Sequence, residues 1–185
     1  MTVRDAGAAR TAWVVPVPEA ETLVQDLRRQ FDPSAALGVP AHVTVLHPFM
    51  APTQITAQVL DRAEAALRAT PAFAFRLAQV ACFADTAYLA PEPAAAFVAL
   101  TEALVRAFPG LPPYGGAHAT IVPHLTVGQG DADTVGHVAV ELQAALRRRG
   151  PVQARCSRLS VLENAGGTWR EMHRLALPPE GATTR

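Results

Sequence analysis

Two short segments of the sequence share one pattern, in which a histidine is followed by an apolar residue, a threonine and a valine. The segments run from His42 to Val45 and from His124 to Val127. Given the amounts of these residue types in the chain, chance alone would produce about 0.03 such patterns. The repetition therefore indicates a function. A looser His-x-Thr match at His118 lies in a Gly-rich loop, and we interpret it as fortuitous.

Each segment lies in an apolar run typical of a β-strand, which fixes how its polar side chains are arranged. Side chains two residues apart on a strand point to the same face and lie about 6.6 Å apart. We therefore expect His42 beside Thr44 and His124 beside Thr126, with the intervening apolar residue turned towards the core. Two such strands facing each other would form a cradle of two imidazoles and two hydroxyls.

A phosphodiester suits this cradle. The hydroxyls can donate to its non-bridging oxygens, and two imidazoles with pKa values near ~6.5 can act as base and acid, each for a gain of about 10²–10⁴-fold. With a 2′,3′-cyclic phosphate, one histidine would activate water while the other protonates the departing ribose oxygen. The sequence has no His, Asp and Glu cluster at metal-ligand spacing, so we expect neither a metal nor another cofactor. A single strand histidine is more often a core residue, but two matching motifs favour catalysis or ligand binding.

The charged residues exclude several classes of protein. All sixteen basic residues are arginine, they are balanced by sixteen acidic ones, and the chain has no lysine. This excludes a P-loop, a Schiff-base enzyme and a ligase that works through an enzyme-lysine nucleotide. The zero net charge argues against a protein that coats nucleic acid or an anionic membrane by charge alone.

Two cysteines, Cys82 and Cys156, are too few for a zinc ribbon. We expect two buried apolar thiols rather than a disulfide. The first residues carry no apolar signal segment, and the longest uncharged stretch, 33–60, contains four prolines. These features predict a cytoplasmic protein without a membrane segment, and no obligate protein partner is evident.

Four amphipathic helices and seven strands are predicted from periodicity, turn residues and capping residues. The last helix should begin at Asp131 or Asp133 and end at its triple arginine before Gly150, while Thr53 should cap the second. The predicted helices span about 19–31, 53–70, 97–108 and 131–149, and the predicted strands 12–17, 42–49, 73–80, 81–90, 121–128, 152–162 and 168–177.

The order of these elements repeats along the chain. A strand carrying His42 leads into a helix and a strand pair, and the same order follows the strand carrying His124. This indicates an α+β fold of two similar lobes from an internal duplication, with a cleft between them. We expect one domain over 1–185, with motif strands at about 41–49 and 121–128 and flexible tails at 1–10 and 178–185.

The duplicated motif, its separation of about 80 residues and the strand–helix order resemble the two-histidine (2H) phosphoesterase superfamily. In particular, segments 42–49 and 123–127 look like the branch of bacterial 2′-5′ RNA ligases and RNA 2′,3′-cyclic phosphodiesterases. The resemblance covers about residues 12–177. It implies a bilobal α+β fold with pseudo-twofold symmetry, antiparallel-rich sheets with outer helices, and metal-independent phosphodiester chemistry at a central cleft.

Matched onto this sequence, the resemblance implies that His42 and His124 form the acid–base pair and that Thr44 and Thr126 hold the phosphate. Within the pair, we favour His124 as the base towards water and His42 as the acid. The implied substrate is a cyclic phosphate on an RNA end or a nucleotide, with reversible ATP-independent 2′-5′ ligation as an accompanying activity.

The sequence departs from the family pattern at two places. Segment 128–130 is Gly-Gln-Gly where related RNA-acting members often carry a basic residue, and His47 stands where many relatives have an aromatic residue. Both departures bear on the RNA substrate more than on the chemistry. Two other functions therefore stay open: a nucleotide- or RNA-end-binding module with little turnover, and a phosphoesterase for a small cyclic phosphate unrelated to RNA.

Several other residues are candidates for substrate contacts. Phe49, Tyr114 and Trp169 could stack on a nucleobase or pack in the core. Segment 111–116 is a lid or an ordinary loop. The arginines on predicted strands are the expected sources of positive potential in the cleft: Arg76, Arg155, Arg158, Arg170 and Arg174.

Overall fold

In the part of the chain that the structure describes, eight strands form two antiparallel sheets that are flanked by helices. The computed structural model describes residues 9–116 and 120–181, so most of the two expected tails lies outside the described residues. It confirms the expected α+β class. The strands are β1 (Thr11–Pro16), β2 (His42–Leu46), β3 (Phe73–Cys82), β4 (Thr86–Glu92), β5 (Leu125–Gln129), β6 (Val152–Cys156), β7 (Arg158–Glu163) and β8 (Arg170–Ala176), and the helices are α1 (Glu21–Phe31), α2 (Pro33–Ala36), α3 (Ala57–Leu67), α4 (Ala95–Ala107) and α5 (Ala132–Arg149).

Each sheet has four strands and ends with one of the two motif strands. The first sheet has the order β2-β1-β7-β8, and the second has the order β5-β4-β3-β6. All the pairings are antiparallel. The strands β2 and β5 are therefore both edge strands, paired on one side only, which leaves their outer sides available for contact with each other.

The two halves of the chain each contribute strands to both sheets. The hairpin β3–β4 follows β2 in sequence but belongs to the sheet of β5, whereas β7 and β8 follow β5 but belong to the sheet of β2. The predicted single strand 152–162 is wrong in this respect, because it is two strands that separate at Ser157 and join different sheets. In β6 burial alternates along the strand, whereas β7 is buried almost throughout between β1 and β8.

The helix boundaries follow local capping chemistry. Asp131 caps α5 by accepting from the Thr134 amide at 2.9 Å, and α5 ends where Gly150 adopts a positive φ of 80°, as predicted. The predicted start of the second helix is wrong. Thr53 lies in a short 3₁₀ turn whose helical path is broken at Ile55 (ψ 85°), so Thr56 caps α3 instead.

The core lies between the sheets and the helices, and it holds the motif strands in place. Val43 and Leu125, the apolar residues inside the two motifs, are fully buried in it, as the strand alternation predicts. The Thr101 hydroxyl, on α4, donates to the Val45 carbonyl at 2.9 Å and ties this helix to β2.

The two cysteines differ in their surroundings. Both are free thiols, as expected. Cys156 is buried, and burial raises its pKa to about 12. Cys82 is exposed, so the prediction of two buried thiols is wrong for it: its side chain points outwards at the end of β3. Across the described residues, no helix is both long enough and apolar enough to span a membrane.

Candidate active site

The edge strands β2 and β5 contact each other and bring the two motifs together between the sheets. His42 is the first residue of β2, and His124 lies immediately before the first residue of β5. The observed strands are shorter than the predicted segments 41–49 and 121–128. Each histidine therefore lies where a loop enters an edge strand. Backbone carbonyl groups of that loop can then accept a hydrogen bond from the imidazole ring.

The imidazole of His42 is held at both nitrogens. The distance from Nδ1 to the Pro40 carbonyl oxygen is 2.8 Å, and that from Nε2 to the Thr44 hydroxyl is 3.1 Å. Because a carbonyl only accepts, Nδ1 carries the proton, and in the neutral ring Nε2 accepts from the hydroxyl. His42 and Thr44 thus lie side by side, as their spacing predicts.

His124 has the same local arrangement. Its Nδ1 donates to the carbonyl of Val122, two residues earlier, at 2.7 Å, just as His42 donates to the carbonyl two residues before it. Thr126 follows in β5 and is buried. Both imidazoles are therefore fixed in the same tautomer, with Nε2 as the nitrogen that can exchange a proton with a ligand.

The pKa of His42 differs from the value near 6.5 that the sequence suggests. Burial of the ring, which is 5% exposed, lowers the pKa to about 3, and the nearby Arg28 guanidinium adds to the effect. The hydrogen bond to Pro40 opposes this shift. His42 is consequently neutral in the free protein at neutral pH, with a lone pair on Nε2.

This pKa makes stability depend on pH. The unfolded chain binds a proton at His42 below about pH 6.5 and the folded protein does not, so the free energy of unfolding falls as the pH drops from 6.5 towards 3, by up to about 1.4 kcal/mol per unit. The free energy of unfolding can be measured with urea at pH 7 and at pH 5. Between these two pH values it should fall by about 2 kcal/mol more in the wild type than in His42→Gln, which lacks the titrating ring. An equal fall in the free energy of unfolding in the two proteins would contradict the lowered pKa of His42.

A buried ion pair supports the loop that leads into β2. The guanidinium of Arg28 (3% exposed) donates to the Asp32 carboxylate at 2.9 Å and to the Val39 carbonyl at 3.0 Å. Asp32 also accepts from the amide and hydroxyl of Ser34, at 2.9 and 2.7 Å. The loop 32–40 is therefore anchored directly before His42. We did not predict this network, although an Arg and an Asp four residues apart at a helix end are a usable signal.

Three aromatic rings surround the imidazole of His124. Ring-centroid distances to it are 5.1 Å from Phe83, 5.3 Å from Tyr88 and 6.4 Å from Tyr114, and the last ring is stacked nearly parallel to it. Phe83 is 37% exposed, so it also presents a ring to solvent. We did not predict Phe83 and Tyr88 as site residues, because only the pairing of β4 with β5 brings them beside the histidine.

Tyr114 is the one predicted stacking candidate that the structure places at the site. Its amide donates to the His47 carbonyl at 2.6 Å, and its positive φ of 52° belongs to the tight turn at 113–116. This turn contacts β2 as well as carrying the ring beside His124. Burial raises the pKa of the Tyr114 hydroxyl to about 12.

Phe49 and Trp169 are core residues, which is the other of the two interpretations that the sequence allowed. Phe49 is 1% exposed and packs edge-on against Trp13 and Phe108. Trp169 is also buried, and its ring meets that of His47 edge-to-face at 5.8 Å. Both rings are buried against other aromatic rings of the protein. For these two residues, the predicted stacking on a nucleobase is therefore replaced by packing in the core.

The arginines expected to line the cleft are mostly engaged elsewhere. Arg76 lies 2.7 Å from a Glu92 carboxylate oxygen, and Arg155 lies 2.8 Å from Glu180. Arg158 is exposed. The other two of these arginines also form ion pairs, Arg170 with Glu163 and Arg174 with Glu171. All four arginines are largely exposed and each is paired with a carboxylate, of which that of Glu163 is buried, so the prediction of free positive potential is corrected for them.

The packing behind β5 explains why no basic side chain follows the second motif directly. A Cβ on Gly128 would lie 2.9 Å from a Val138 methyl group and 3.0 Å from the Cβ of Phe31. Glycine at this position lets α1 and α5 pack closely on the strand. The looser match at His118 lies outside the described residues, and within 9–116 and 120–181 no three His, Cys, Asp or Glu side chains are grouped as a metal site would need.

Comparisons with known proteins agree with this architecture. The sequence profile of the 2′-5′ RNA ligase superfamily matches residues 15–168. The structure is similar to that of E. coli LigT complexed with 3′-AMP (TM-score 0.61, 13% identity, 92% of this chain and 99% of LigT). It is also similar to the structure of a Thermus thermophilus protein (TM-score 0.60, 17% identity, 92% and 99% coverage). No curated protein matches the sequence at a significant level.

Proposed function

Because the chain belongs to the 2′-5′ RNA ligase superfamily, we propose that it is a metal-independent phosphodiesterase that opens a 2′,3′-cyclic phosphate on an RNA end or a nucleotide. The observation that carries the proposal is the matching pair of imidazoles on two contacting edge strands, each with Nδ1 held by the carbonyl two residues earlier. The structures of E. coli LigT with 3′-AMP and with ATP support nucleotides as the ligand class. Ligation would be the same ring opening, with an RNA hydroxyl attacking phosphorus in place of water; its reverse would close the cyclic phosphate and release that hydroxyl.

The burial of His42 favours one division of the proton transfers. His42 is neutral, so its Nε2 takes the proton from water as the water oxygen attacks phosphorus. The bond from phosphorus to one ribose oxygen then breaks, and Nε2 of His124 would supply a proton to that oxygen. This assignment reverses the one favoured from the sequence, and it is supported by the burial that keeps the His42 ring neutral in the free protein.

The hydroxyls of Thr44 and Thr126 would hold the non-bridging oxygens. In the free protein the Thr44 hydroxyl already donates to Nε2 of His42. A phosphate entering the cradle would take over that donor and leave the imidazole lone pair directed at water. Hydroxyl donors and the imidazolium of His124 would then supply the electrostatic stabilisation of the transition state.

Turnover of cyclic phosphates tests this proposal most directly. The protein is incubated with 2′,3′-cyclic nucleotides and with short RNAs that end in a cyclic phosphate, in the presence of EDTA. Opening of the ring at an unchanged rate with EDTA supports metal-independent hydrolysis. Binding without turnover would favour the binding module, and turnover of small non-nucleotide cyclic phosphates alone would favour the third candidate. Loss of turnover with EDTA would contradict the mechanism.

Phe83 offers the exposed ring on which a substrate base would stack. It lies beside His124 and is itself supported by Tyr88, with ring centroids 4.4 Å apart. Since base–aromatic stacking is worth about 1–3 kcal/mol, Phe83→Ala should lower kcat/KM for cyclic nucleotides by about 5- to 150-fold, mainly through KM. Phe83→Tyr should retain most of the activity. An unchanged KM in Phe83→Ala would place the base elsewhere.

A further inference from the structure

A second cavity, of about 510 Å³, lies at the start of β1. Its apolar side is formed by Phe49, Met50, Phe108 and Leu111, and the partly buried Arg10 completes one wall together with Arg62 of α3. This volume lies within the range of sites for small organic ligands. The cavity is separate from the histidine pair in both position and chemistry.

Strand geometry shows the separation. His42 begins β2 and Leu46 ends it, about 13 Å further along the strand. The chain then continues beside the start of β1, where the Phe49 amide donates to the Thr11 carbonyl and the Thr11 amide donates to the Met50 carbonyl. The cavity therefore lies beyond the end of β2 opposite His42.

The charged side chains described at the cavity are both positive. Among the described residues that line it there are two arginines and no acidic side chain. The Nε atom of Arg10 is buried and has no hydrogen-bond partner within the described part of the chain. Such an atom costs free energy unless a ligand or water accepts from it. The backbone of Arg10 is fixed at 2.7 Å to the Asn164 side chain, so the fold positions this residue.

Arg62 is the second positive charge at the cavity, and an aromatic ring holds its guanidinium. Its guanidinium carbon lies 5.2 Å from the centre of the Phe108 ring, in cation–π geometry. This contact does not use the N–H groups of the guanidinium as donors to the ring atoms, so they remain available to an anion. In the described residues Arg62 makes no ion pair that would compete for these donors.

From these contacts we infer that the cavity is a second ligand site, which binds an organic anion whose phosphate or carboxylate meets Arg10 and Arg62 while an aromatic or apolar body packs on the Phe108 side. Phosphate and carboxylate share the bidentate geometry that guanidinium recognises. Of the apolar wall, Met50 and Leu111 are only partly buried, and they give the ring or chain of the ligand a surface that inorganic phosphate cannot use.

The test uses the full chain and site-specific signals. AMP, adenosine, benzoate and inorganic phosphate are titrated separately while the amide NMR signals of Gly110 and Leu111, at the cavity, are followed. We expect saturable shifts with AMP and benzoate, at affinities at least about 10-fold above those of adenosine and inorganic phosphate. A stronger response to AMP or to benzoate distinguishes a phosphate from a carboxylate ligand.

Variants decide whether the arginines are responsible. Arg62→Ala should weaken binding at the cavity by about 10-fold or more, whereas Arg68→Ala, which removes an exposed arginine at the end of the same helix, should not. Arg10→Ala should act like Arg62→Ala, and the exposed position of Arg62 keeps its own variant folded. Equal affinity in Arg62→Ala, absence of shifts at the cavity, or equal binding of inorganic phosphate and AMP would each overturn the inference.

Discussion

Replacing either motif histidine by alanine should lower kcat for a 2′,3′-cyclic nucleotide by about 10²–10⁴-fold. Each imidazole is held in one orientation by a backbone carbonyl, at 2.8 Å for His42 and 2.7 Å for His124. A substituted side chain that has no nitrogen at the position of the imidazole Nε2 will therefore not restore the proton transfer. Steady-state assays of His42→Ala and His124→Ala in EDTA measure the effect. Turnover that survives both substitutions would contradict the two-histidine mechanism.

A change of leaving group separates the base from the acid. A p-nitrophenyl phosphodiester releases an anion that needs no proton, so an enzyme without its acid should still cleave it, whereas an enzyme without its base should not. We therefore expect His124→Ala to recover most of the wild-type rate on this substrate and His42→Ala to stay inactive. The opposite result would restore His42 as the acid, which would require the bound phosphate to raise its pKa far above the value of about 3 in the free protein.

His137 provides a matched control for these substitutions. It lies in α5, where its ring packs edge-on against Phe31, and it belongs to neither motif. His137→Ala removes the same chemical group and should leave kcat within about two-fold of the wild-type value. A comparable loss in this variant would indicate a general effect on folding instead of proton transfer.

The second large effect concerns stability. Arg28→Met should lower the free energy of unfolding by about 3–5 kcal/mol, because it leaves the Asp32 carboxylate buried without its cation. The carbonyl of Val39 also loses its donor. Urea unfolding monitored by circular dichroism at pH 7 measures the change. Adding Asp32→Asn to Arg28→Met should recover part of the loss, since it removes the isolated charge.

The neighbouring arginine is the control for this prediction. Arg29 pairs with Asp26 at 2.5 Å, but both side chains are more than three-quarters exposed. Exposed pairs of this kind contribute about 0–1 kcal/mol, so Arg29→Met should change stability little. Similar losses in Arg28→Met and Arg29→Met would show that burial does not determine the strength of the pair.

The sequence allowed the side-by-side placement of histidine and threonine in the motif to be predicted because this geometry is local. Spacing of two on a strand places His42 beside Thr44 in any sheet, and their 3.1 Å contact bears this out. The end of α5 at Gly150 was likewise predictable, because capping depends on adjacent residues. The α+β class follows from the order of such local signals.

What could not be predicted depends on contacts between distant segments. The rings of Phe83 and Tyr88 reach His124 only because β4 pairs with β5. The low pKa of His42 arises from burial beneath residues from several elements, a property that spacing does not encode. The surface pairing of Arg155 with Glu180 is similarly non-local, so strand parity gave no indication of it.

The exchange of strands between the halves has a consequence for how this protein can change over time. If the two motifs descend from one duplicated segment, neither half can now lose its partner, because each sheet is completed by strands from the other half. Loss of the second half would remove β7 and β8 from the sheet of β2, and loss of the first half would leave β5 without its neighbour β4. Losing either half would therefore take two strands from each sheet, so that neither motif could keep a complete sheet without the other half.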